Sequence, residues 1–438
     1  MAGNHGLRRK ARILATFFAG QGCAQALNLL SGFLVLRWLD VGSYGQYGLT
    51  FGFQSTANLL IDLGFSSTIV ALVGHRVNDA RVLGDYIRAG RSLRSRMLTI
   101  VMPISAVVFF YLTHHLKWGL ATQLMLLVSI FVSIYFSGMQ AYYTAPLIVQ
   151  RRLGLHYSLQ SLVAVLRIFG YIVLYKAGVL NAVTAVWLNA AGIVIAGLSY
   201  KAASRSLLDE PKQPNPLIIK QMLNYVTPNL PGVIFFALQG QISVFLIASL
   251  GHTTGIAQVA ALSRIGQIFT LIAALNATVL EPWFAKSPDK EVLPRYLVAA
   301  GITIFFSIAF VTFAVLFPGG LLWILGKHYD DLRLEVRWTV LSGCTNYLAA
   351  LTWTVISGRR LIYWSSTFLN IGLILATQIV FLMRVSVSTT LGAVKFGFAS
   401  IAASLLAQTI NLIWGLKKGP RVSLTVGDSV EAKEVGAK

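Results

Sequence analysis

Long apolar runs follow one another along almost the whole chain, and they constrain its fold more than any other feature. A helix that crosses the hydrocarbon layer of a membrane needs about 20 mainly apolar residues. Twelve runs in the 438-residue chain meet this requirement, at 13–36, 46–73, 97–116, 119–143, 157–175, 179–200, 221–250, 256–284, 296–317, 336–357, 363–383 and 389–415. The sequence therefore predicts an all-α polytopic membrane protein with about 12 transmembrane helices.

Basic residues are concentrated between these runs. The net charge of +21 comes from 36 Lys and Arg against 15 Asp and Glu, a balance that in a soluble protein often indicates nucleic-acid binding. Here 26 of the 36 lie in the connections on the N-terminal side of the membrane, and only six lie in the opposite connections. By the positive-inside rule, this pattern predicts a multi-pass protein of the bacterial inner membrane with both termini cytoplasmic, and no nucleic-acid partner.

The chain divides at its longest polar, Pro-rich interruption, residues 209–216, between the sixth and seventh runs. Shifting the second half back by 212 residues aligns Tyr44–Leu49 with Ile256–Ala261, each after the first run of a six-run half. Six spans is an even number, so the halves have the same orientation, as in parallel repeats. We predict two six-helix lobes at 1–205 and 221–416 related by a parallel pseudo-twofold repeat, a cytoplasmic linker at 206–220 and a disordered cytoplasmic tail at 417–438.

The densest basic segment, residues 76–96, carries six Arg and has apolar residues at helical spacing on another face. Two interpretations remain open. The segment is either an amphipathic helix that lies on the anionic cytoplasmic leaflet or a solvated loop that only determines topology. The first interpretation predicts that anionic membrane lipids contact Arg76, Arg81, Arg88, Arg91 and Arg94.

Signatures of enzyme chemistry are absent from the sequence. Gly326-Lys327-His328 lacks the upstream Gly and the hydroxyl residue of a phosphate-binding loop. Cys23 and Cys344 both fall inside predicted spans, and the seven His show no spacing typical of metal ligands. We therefore predict no catalytic residue, no metal and no cofactor.

Four charged side chains stand out inside the predicted spans, although a charge costs at least about 2.5 kcal/mol at the centre of a membrane helix. Arg167, Arg264 and Lys395 are basic, and Asp62 is acidic. If all four face inward, they form a cationic lumen suited to an anionic cargo, and the planar guanidinium is suited to phosphate. Lys395 fits equally well at the external headgroups. Asp62 is either a coupling-ion site or the charge partner of an arginine across the lobe.

Uncharged polar residues and prolines complete the predicted lumen. Amide side chains at Asn28, Asn58, Gln239 and Gln241 suit sugar hydroxyls, and they suit ordinary interhelical hydrogen bonds equally well. Pro228 and Pro231 are expected to bend or break the seventh helix and form a gate or hinge. Composition and spacing alone thus predict a two-lobed transporter with a cationic midplane.

Four motifs in order along the chain resemble the O-antigen and polysaccharide flippases of the multidrug/oligosaccharidyl-lipid/polysaccharide exporter superfamily. Leu36–Tyr47 resembles that family's Arg-x-Leu followed by a Tyr-Gly-x-Tyr turn, and Asp62–Phe65 resembles its Asp/Leu-Gly-Phe stretch. Tyr225–Pro228 fits the Tyr-x-x-Pro that opens the second lobe, and Leu325–Tyr329 resembles the Phe-Gly-x-x-Tyr before the tenth helix. Family members often carry an acidic residue near 239–241, where this chain has Gln.

The resemblance implies a secondary transporter and not an enzyme. It implies a flippase that moves an undecaprenyl-pyrophosphate-linked oligosaccharide to the periplasmic leaflet by alternating access, with a polysaccharide polymerase and other assembly proteins as candidate partners. One alternative is a cation-coupled multidrug or metabolite exporter of the same superfamily, which needs a dominant lumen carboxylate. Another is a membrane-embedded glycosyltransferase or polymerase, which normally needs external loops larger than 318–335.

Overall fold

The chain is helical throughout the part that the computed structural model describes. The backbone is described for residues 2–73, 79–150, 152–227, 230–249, 253–276, 280–285, 287–359, 361 and 363–418, with side chains except at 2–19, 71, 270, 271, 274, 275, 282 and 285. No strand occurs in these ranges. Among the described residues, seven helices are long and apolar enough to cross a membrane, and a bent helix pair brings the number to eight if it is counted as one span. The predicted all-α polytopic class is confirmed.

Five of the six predicted spans of the first half each correspond to one helix, and the second span is divided between two helices. These helices are α1 (Ala2–Trp38), α2 (Val41–Asp62), α3 (Phe65–Val73), α4 (Ala80–His115), α5 (Leu120–Val149), α6 (Leu153–Lys176) and α7 (Ala182–Ser204). The carboxylate of Asp40 starts α2 by accepting a hydrogen bond from the Ser43 amide, 2.9 Å away. The second predicted span is interrupted between α2 and α3, where Leu63 and Gly64 both have positive φ angles.

The second half begins with an interrupted span. The helices of the second half are α8 (Pro216–Val226), α9 (Leu230–Gln239), α10 (Ile242–Ser249), α11 (Thr253–Leu275), α12 (Glu281–Ala285), α13 (Asp289–Leu316), α14 (Pro318–Leu325), α15 (Arg333–Gly358), α16 (Trp364–Arg384) and α17 (Thr390–Lys418). The seventh predicted span is therefore shared among α8, α9 and α10, and α9 and α10 meet at 52°.

The bend in this span lies at Gly240 and Gln241, beyond the two prolines from which it was predicted. Pro231 occupies the first turn of α9, where a proline lacks only an amide that would be unpaired in any case. Pro228 lies outside the described residues. The gate role of the two prolines stays a prediction.

The basic segment 76–96 forms neither a separate surface helix nor a loop over its described part. Residues 80–115 form one continuous helix of 36 residues, in which the basic segment and the third predicted span are joined. Leu83, Ile87 and Leu93 on this helix are buried against α3, α5 and α8. Because these apolar side chains pack within the protein, the basic segment is helical and continues directly into the third predicted span.

Packing within the two halves follows a common pattern. The fourth and sixth spans, α5 and α7, pack extensively against each other, and so do the tenth and twelfth, α15 and α17. Helices α2 and α11, the second span of each half, form the main contact between the halves. The predicted lobe boundaries stay a prediction. Helix α8 starts inside the predicted linker, α17 includes Lys417 and Lys418 of the predicted tail, and 419–438 lie outside the described residues.

The polar linker is fastened to α4 by a group of contacts that we call the linker clasp, formed by Arg88, Arg91, Tyr143, Glu210 and Lys212. One carboxylate oxygen of Glu210 accepts a hydrogen bond from Arg91 Nη1 at 2.6 Å, and the other accepts from the Tyr143 hydroxyl at 2.7 Å. Arg88 Nη2 donates to the Lys212 carbonyl at 2.7 Å. The linker therefore belongs to the packed structure of the first half.

Candidate functional site

Arg167 lies on α6 and faces α1 and α7. Its Nη2 donates a hydrogen bond to Asn28 Oδ1 on α1 at 3.0 Å, and its Nη1 donates to Asn189 Oδ1 on α7 at 2.9 Å. The buried Nε has no acceptor among the described residues. Two of the predicted residues, Asn28 and Arg167, are thus brought together. Asn189, which sequence reasoning missed, completes this arrangement.

Arg264 lies on α11 in the second half, but its side chain is held by the first half. Its Nε donates to the Tyr44 hydroxyl on α2 at 3.2 Å, and its guanidinium lies over the Phe51 ring, 5.6 Å from the centroid. It also approaches α1 at Gly32, where a Cβ would lie 3.0 Å from Arg264 Nη1. Within α11, Nη1 donates to Gln267 Oε1 at 3.2 Å.

Both guanidinium groups contact α1, one helical turn apart. Arg167 bonds to Asn28 and Arg264 approaches Gly32, and four residues of helix correspond to about 6 Å. The distances of the two arginines from the ends of their helices are also similar. Arg264 is 11 residues from the start of α11, and Arg167 is nine from the end of α6, or about 16 and 14 Å. We call these two residues the arginine pair. In the described part of the chain, neither forms an ion pair with a carboxylate.

Asp62 pairs with a different arginine. Arg94 Nη1 lies 3.4 Å from Asp62 Oδ1, and the two side chains are 5% and 14% exposed. The other Asp62 oxygen accepts from the Ser66 hydroxyl at 2.7 Å. Asp62 is thus the charge partner of an arginine, as one of the two interpretations expected, but that arginine is Arg94. No described contact links Asp62 to Arg167 or Arg264, and a role of Asp62 in ion coupling stays a prediction.

Asn58 belongs to the same buried cluster. Its Oδ1 accepts hydrogen bonds from Arg94 Nη2 and from the Ser137 hydroxyl, each at 2.7 Å. Arg94 itself is only 4% exposed, so it is not part of an open basic surface, and its contact with membrane lipids stays a prediction. Asn58 supports this ion pair and is not brought to the arginine pair.

The remaining predicted residues lie elsewhere in the second half. Gln239 accepts a hydrogen bond from Gln378 Nε2 at 2.7 Å, which joins α9 to α16. Gln241 faces α2, where a Cβ at Gly52 would lie 3.0 Å from its Oε1. Lys395 lies on α17, with its Nζ 5.4 Å from the centre of the Trp338 ring on α15.

One end of the bundle is closed by contacts between the halves, and we call it the Asp40 end. Here α2 and α11 approach so closely that a Cβ at Gly48 would lie 2.7 Å from the Ala260 side chain. Arg37 donates to the Trp323 carbonyl and lies over its ring, 4.7 Å from the centroid. The arginine pair therefore lies between this closed end and the opposite end, which carries the linker.

The described residues do not include a cluster of three or more His, Cys, Asp or Glu side chains able to hold a metal ion. Amide, hydroxyl and guanidinium groups instead dominate the neighbourhood of the arginine pair. Such groups recognise anions and sugar hydroxyls.

No protein-family model matches the chain, and no curated protein matches it. Several solved structures are similar to it. An inward-facing multidrug resistance MATE transporter of the MOP superfamily covers 90% of this chain and 96% of its own at 18% identity, with a TM-score of 0.66. The lipid II flippase MurJ, inward closed, covers 92% and 87% at 13% identity, with a TM-score of 0.62. The chain has the MATE and MurJ fold. A substituted form of the Vibrio cholerae MATE transporter VcmN is also similar, covering 95% and 99% at 13% identity and a TM-score of 0.61.

This fold agrees with the superfamily that the sequence resemblance implied. The polysaccharide branch of that superfamily stays a prediction, because similarity at 13–18% sequence identity shows the fold alone.

Proposed function

We propose that this protein is a flippase that moves an undecaprenyl-pyrophosphate-linked oligosaccharide from the cytoplasmic to the periplasmic leaflet of a bacterial inner membrane. One observation carries the proposal. Arg167 and Arg264 approach the same stretch of α1 at matching depth, and neither is paired with a carboxylate in the described structure. Two uncompensated guanidinium groups within a helical bundle favour an anionic cargo.

The chemistry of the site fits a pyrophosphate. A guanidinium presents parallel N–H donors that match two phosphate oxygens, and charge-assisted bonds of this kind are stronger than neutral ones. Asn28 and Asn189 hold Arg167 through its terminal nitrogens. A pyrophosphate can replace these amide oxygens as acceptor, and the released amides then become available to sugar hydroxyls.

The distribution of Lys and Arg supports an orientation with both termini and the linker cytoplasmic. In this orientation the Asp40 end is periplasmic, and the contact between α2 and α11 closes the protein toward the periplasm. The headgroup enters from the cytoplasmic side while its polyprenyl chain stays in the lipid. Rocking of the halves opens the Asp40 end and releases the headgroup. An interior-negative potential favours outward movement of an anion by about 2.3 kcal/mol per charge per 100 mV.

The main alternative is a cation-coupled multidrug exporter, and multidrug resistance is the role named for a MATE transporter of this fold. Such an exporter needs an available carboxylate for its cationic cargo or coupling ion. Asp62, the acidic residue that the sequence singled out, is held by Arg94 and Ser66. This pairing favours the flippase, as does the lipid-linked cargo named for MurJ. A polysaccharide polymerase and other assembly proteins remain proposed partners.

The decisive experiment follows a labelled lipid-linked oligosaccharide in proteoliposomes and measures its exposure to an impermeant sugar-modifying reagent. We expect exposure with the unchanged protein and its loss with Arg167→Ala or Arg264→Ala. Arg384→Ala, which removes the same charge from an exposed helix end, serves as the matched control and is expected to be active. Extrusion of a cationic dye without lipid exposure under any ion gradient would instead establish the multidrug function.

A further inference from the structure

A polar cleft opens between α4 and α5 beside the linker, away from the arginine pair. It encloses about 310 Å³ and is lined by residues that include Arg88, Arg91, Ser92, Arg94, Ser95 and Pro214. Three arginines from successive turns of one helix thus converge on one cavity. The cavity borders the linker clasp, because Arg88 and Arg91 bind linker atoms and Pro214 belongs to the linker itself.

Two buried donors in this cleft lack an acceptor. The Nε atoms of Arg88 and Arg94 are both buried and have no hydrogen-bond partner among the described residues, and Arg94 as a whole is only 4% exposed. Gly138 on α5 makes room for this arrangement, since any side chain there would overlap with Arg94 Nε. A buried charged donor without an acceptor is costly, so an oxygen-rich ligand in the cleft would be stabilising.

The charge of the cleft favours an anion. Glu210 and Asp62 offset two of the three arginines through their ion pairs, which leaves one positive charge. The mouth of the cleft lies beside the apolar outer surface of the protein. Tyr135 at the mouth is 54% exposed, and Ile104, further along α4, is 60% exposed. Large exposed apolar side chains of this kind are typical of a surface that contacts lipid tails.

We propose that this cleft is a specific binding site for the phosphate headgroup of an anionic membrane phospholipid. Phosphate oxygens can accept from the unpaired Nε atoms and from the Ser92 and Ser95 hydroxyls while the acyl chains lie along α4 and α5. The site differs from a diffuse basic surface because it depends on cleft residues and not on the total charge of α4. A bound headgroup also contacts Pro214 and thereby stabilises the linker clasp.

Native mass spectrometry of the purified full-length protein tests this site independently of transport. We would titrate phosphatidylglycerol, with phosphatidylcholine and inorganic phosphate as comparison ligands, against Ser95→Asp, Arg88→Gln and Arg96→Gln. Each variant lowers the net charge by one. Ser95 and Arg88 line the cleft, whereas Arg96 is exposed on the same helix and does not line it. A thermal melt of each variant establishes that it is folded.

We expect one phosphatidylglycerol per chain, held about tenfold more weakly by Ser95→Asp and Arg88→Gln and unchanged by Arg96→Gln, because each cleft change weakens a charge-assisted contact. Equal weakening in all three variants would show diffuse attraction and overturn the site. Equal retention of phosphatidylcholine would also overturn it. If inorganic phosphate bound as tightly as phosphatidylglycerol, the cleft would be a site for free phosphate, and the proposal of a lipid ligand would be overturned.

Discussion

Arg94 and Asp62 form an ion pair inside the first half, with 3.4 Å between Nη1 and Oδ1. The pair joins the end of α2 to the middle of α4, and Asn58, Ser66 and Ser137 surround it with hydrogen bonds. The ion pair also affects the charge near the arginine pair. Because Asp62 is held by Arg94, it does not neutralise the arginine pair, and among the described residues no other carboxylate forms an ion pair with either member.

The ion pair gives a first prediction. Asp62→Asn leaves a buried Arg94 without its counter-charge, and breaking a buried pair in this way costs about 3–5 kcal/mol. We expect a clear fall in the melting temperature of the detergent-purified protein. Asp330→Asn, in an exposed connection, is the control and is expected to melt as the unchanged protein does. A variant at Asp62 with unchanged stability and lost transport would indicate ion coupling instead.

The geometry of Arg167 gives a second prediction. Arg167→Lys keeps the positive charge but cannot hold Asn28 and Asn189 with two nitrogens of one planar group. We expect lipid exposure in proteoliposomes to fall about tenfold or more in Arg167→Lys, since at least one charge-assisted bond worth about 1.5–3 kcal/mol is lost. Arg384→Lys is the matched control. Full activity of Arg167→Lys would show that charge alone is sufficient.

The closed Asp40 end gives a third prediction. Cysteines at Gly48 and Ala260 would bring their Cβ atoms within reach of a disulfide after a shift of about 1 Å, since a Cβ at Gly48 lies 2.7 Å from that of Ala260. In a background lacking Cys23 and Cys344, we expect oxidation to link the halves and stop transport, and reduction to restore it.

A protease site inserted into the linker makes this crosslink visible. After cleavage, the two halves migrate together on a denaturing gel only when the disulfide has formed. Each single-cysteine protein serves as a control and is expected to separate into halves. Transport that continues at full rate in the oxidised protein would show that α2 and α11 need not separate.

The linker clasp gives a fourth prediction. Glu210→Gln removes the negative charge that accepts hydrogen bonds from Arg91 and Tyr143 at 2.6 and 2.7 Å. A loss of about 1 kcal/mol of stabilising free energy makes local opening of the linker about fivefold more frequent. We expect limited proteolysis within 206–215 to accelerate by about that factor. Asp209→Asn changes the same charge at the exposed neighbouring position and is expected to have little effect. Equal cleavage rates would contradict the clasp.

Much of the fold was predictable from sequence because membrane-spanning helices leave a one-dimensional signal. The apolar runs predicted most of the described helices, but the breaks inside the second and seventh predicted spans were missed, and the basic segment before residue 97 was misassigned. That error has a physical cause. Six arginines suggested a solvated surface, but Arg94 is buried because Asp62, 32 residues earlier in the chain, compensates its charge. A pairing between two helices cannot be read from hydropathy.

The candidate site was predictable in its residue types and not in its partners. Charged residues within apolar runs are few, so Arg167 and Arg264 were easily singled out, and their role in binding a cargo stays a prediction. Asn189 carries no comparable signal, because a single amide in a membrane helix is common. The bend at Gly240 was missed for a similar reason, since two nearby prolines are the stronger sequence indication of a break.

The clasped linker determines which part of the chain would move under the proposed mechanism. Because Glu210 and Lys212 are bound to α4, the linker is packed on the first half, and α8 after it also packs against α3 and α4. In the proposed rocking motion, the linker and α8 therefore stay with the first half. The body that would rotate against the first half is then smaller than the second half of the sequence, because it excludes α8.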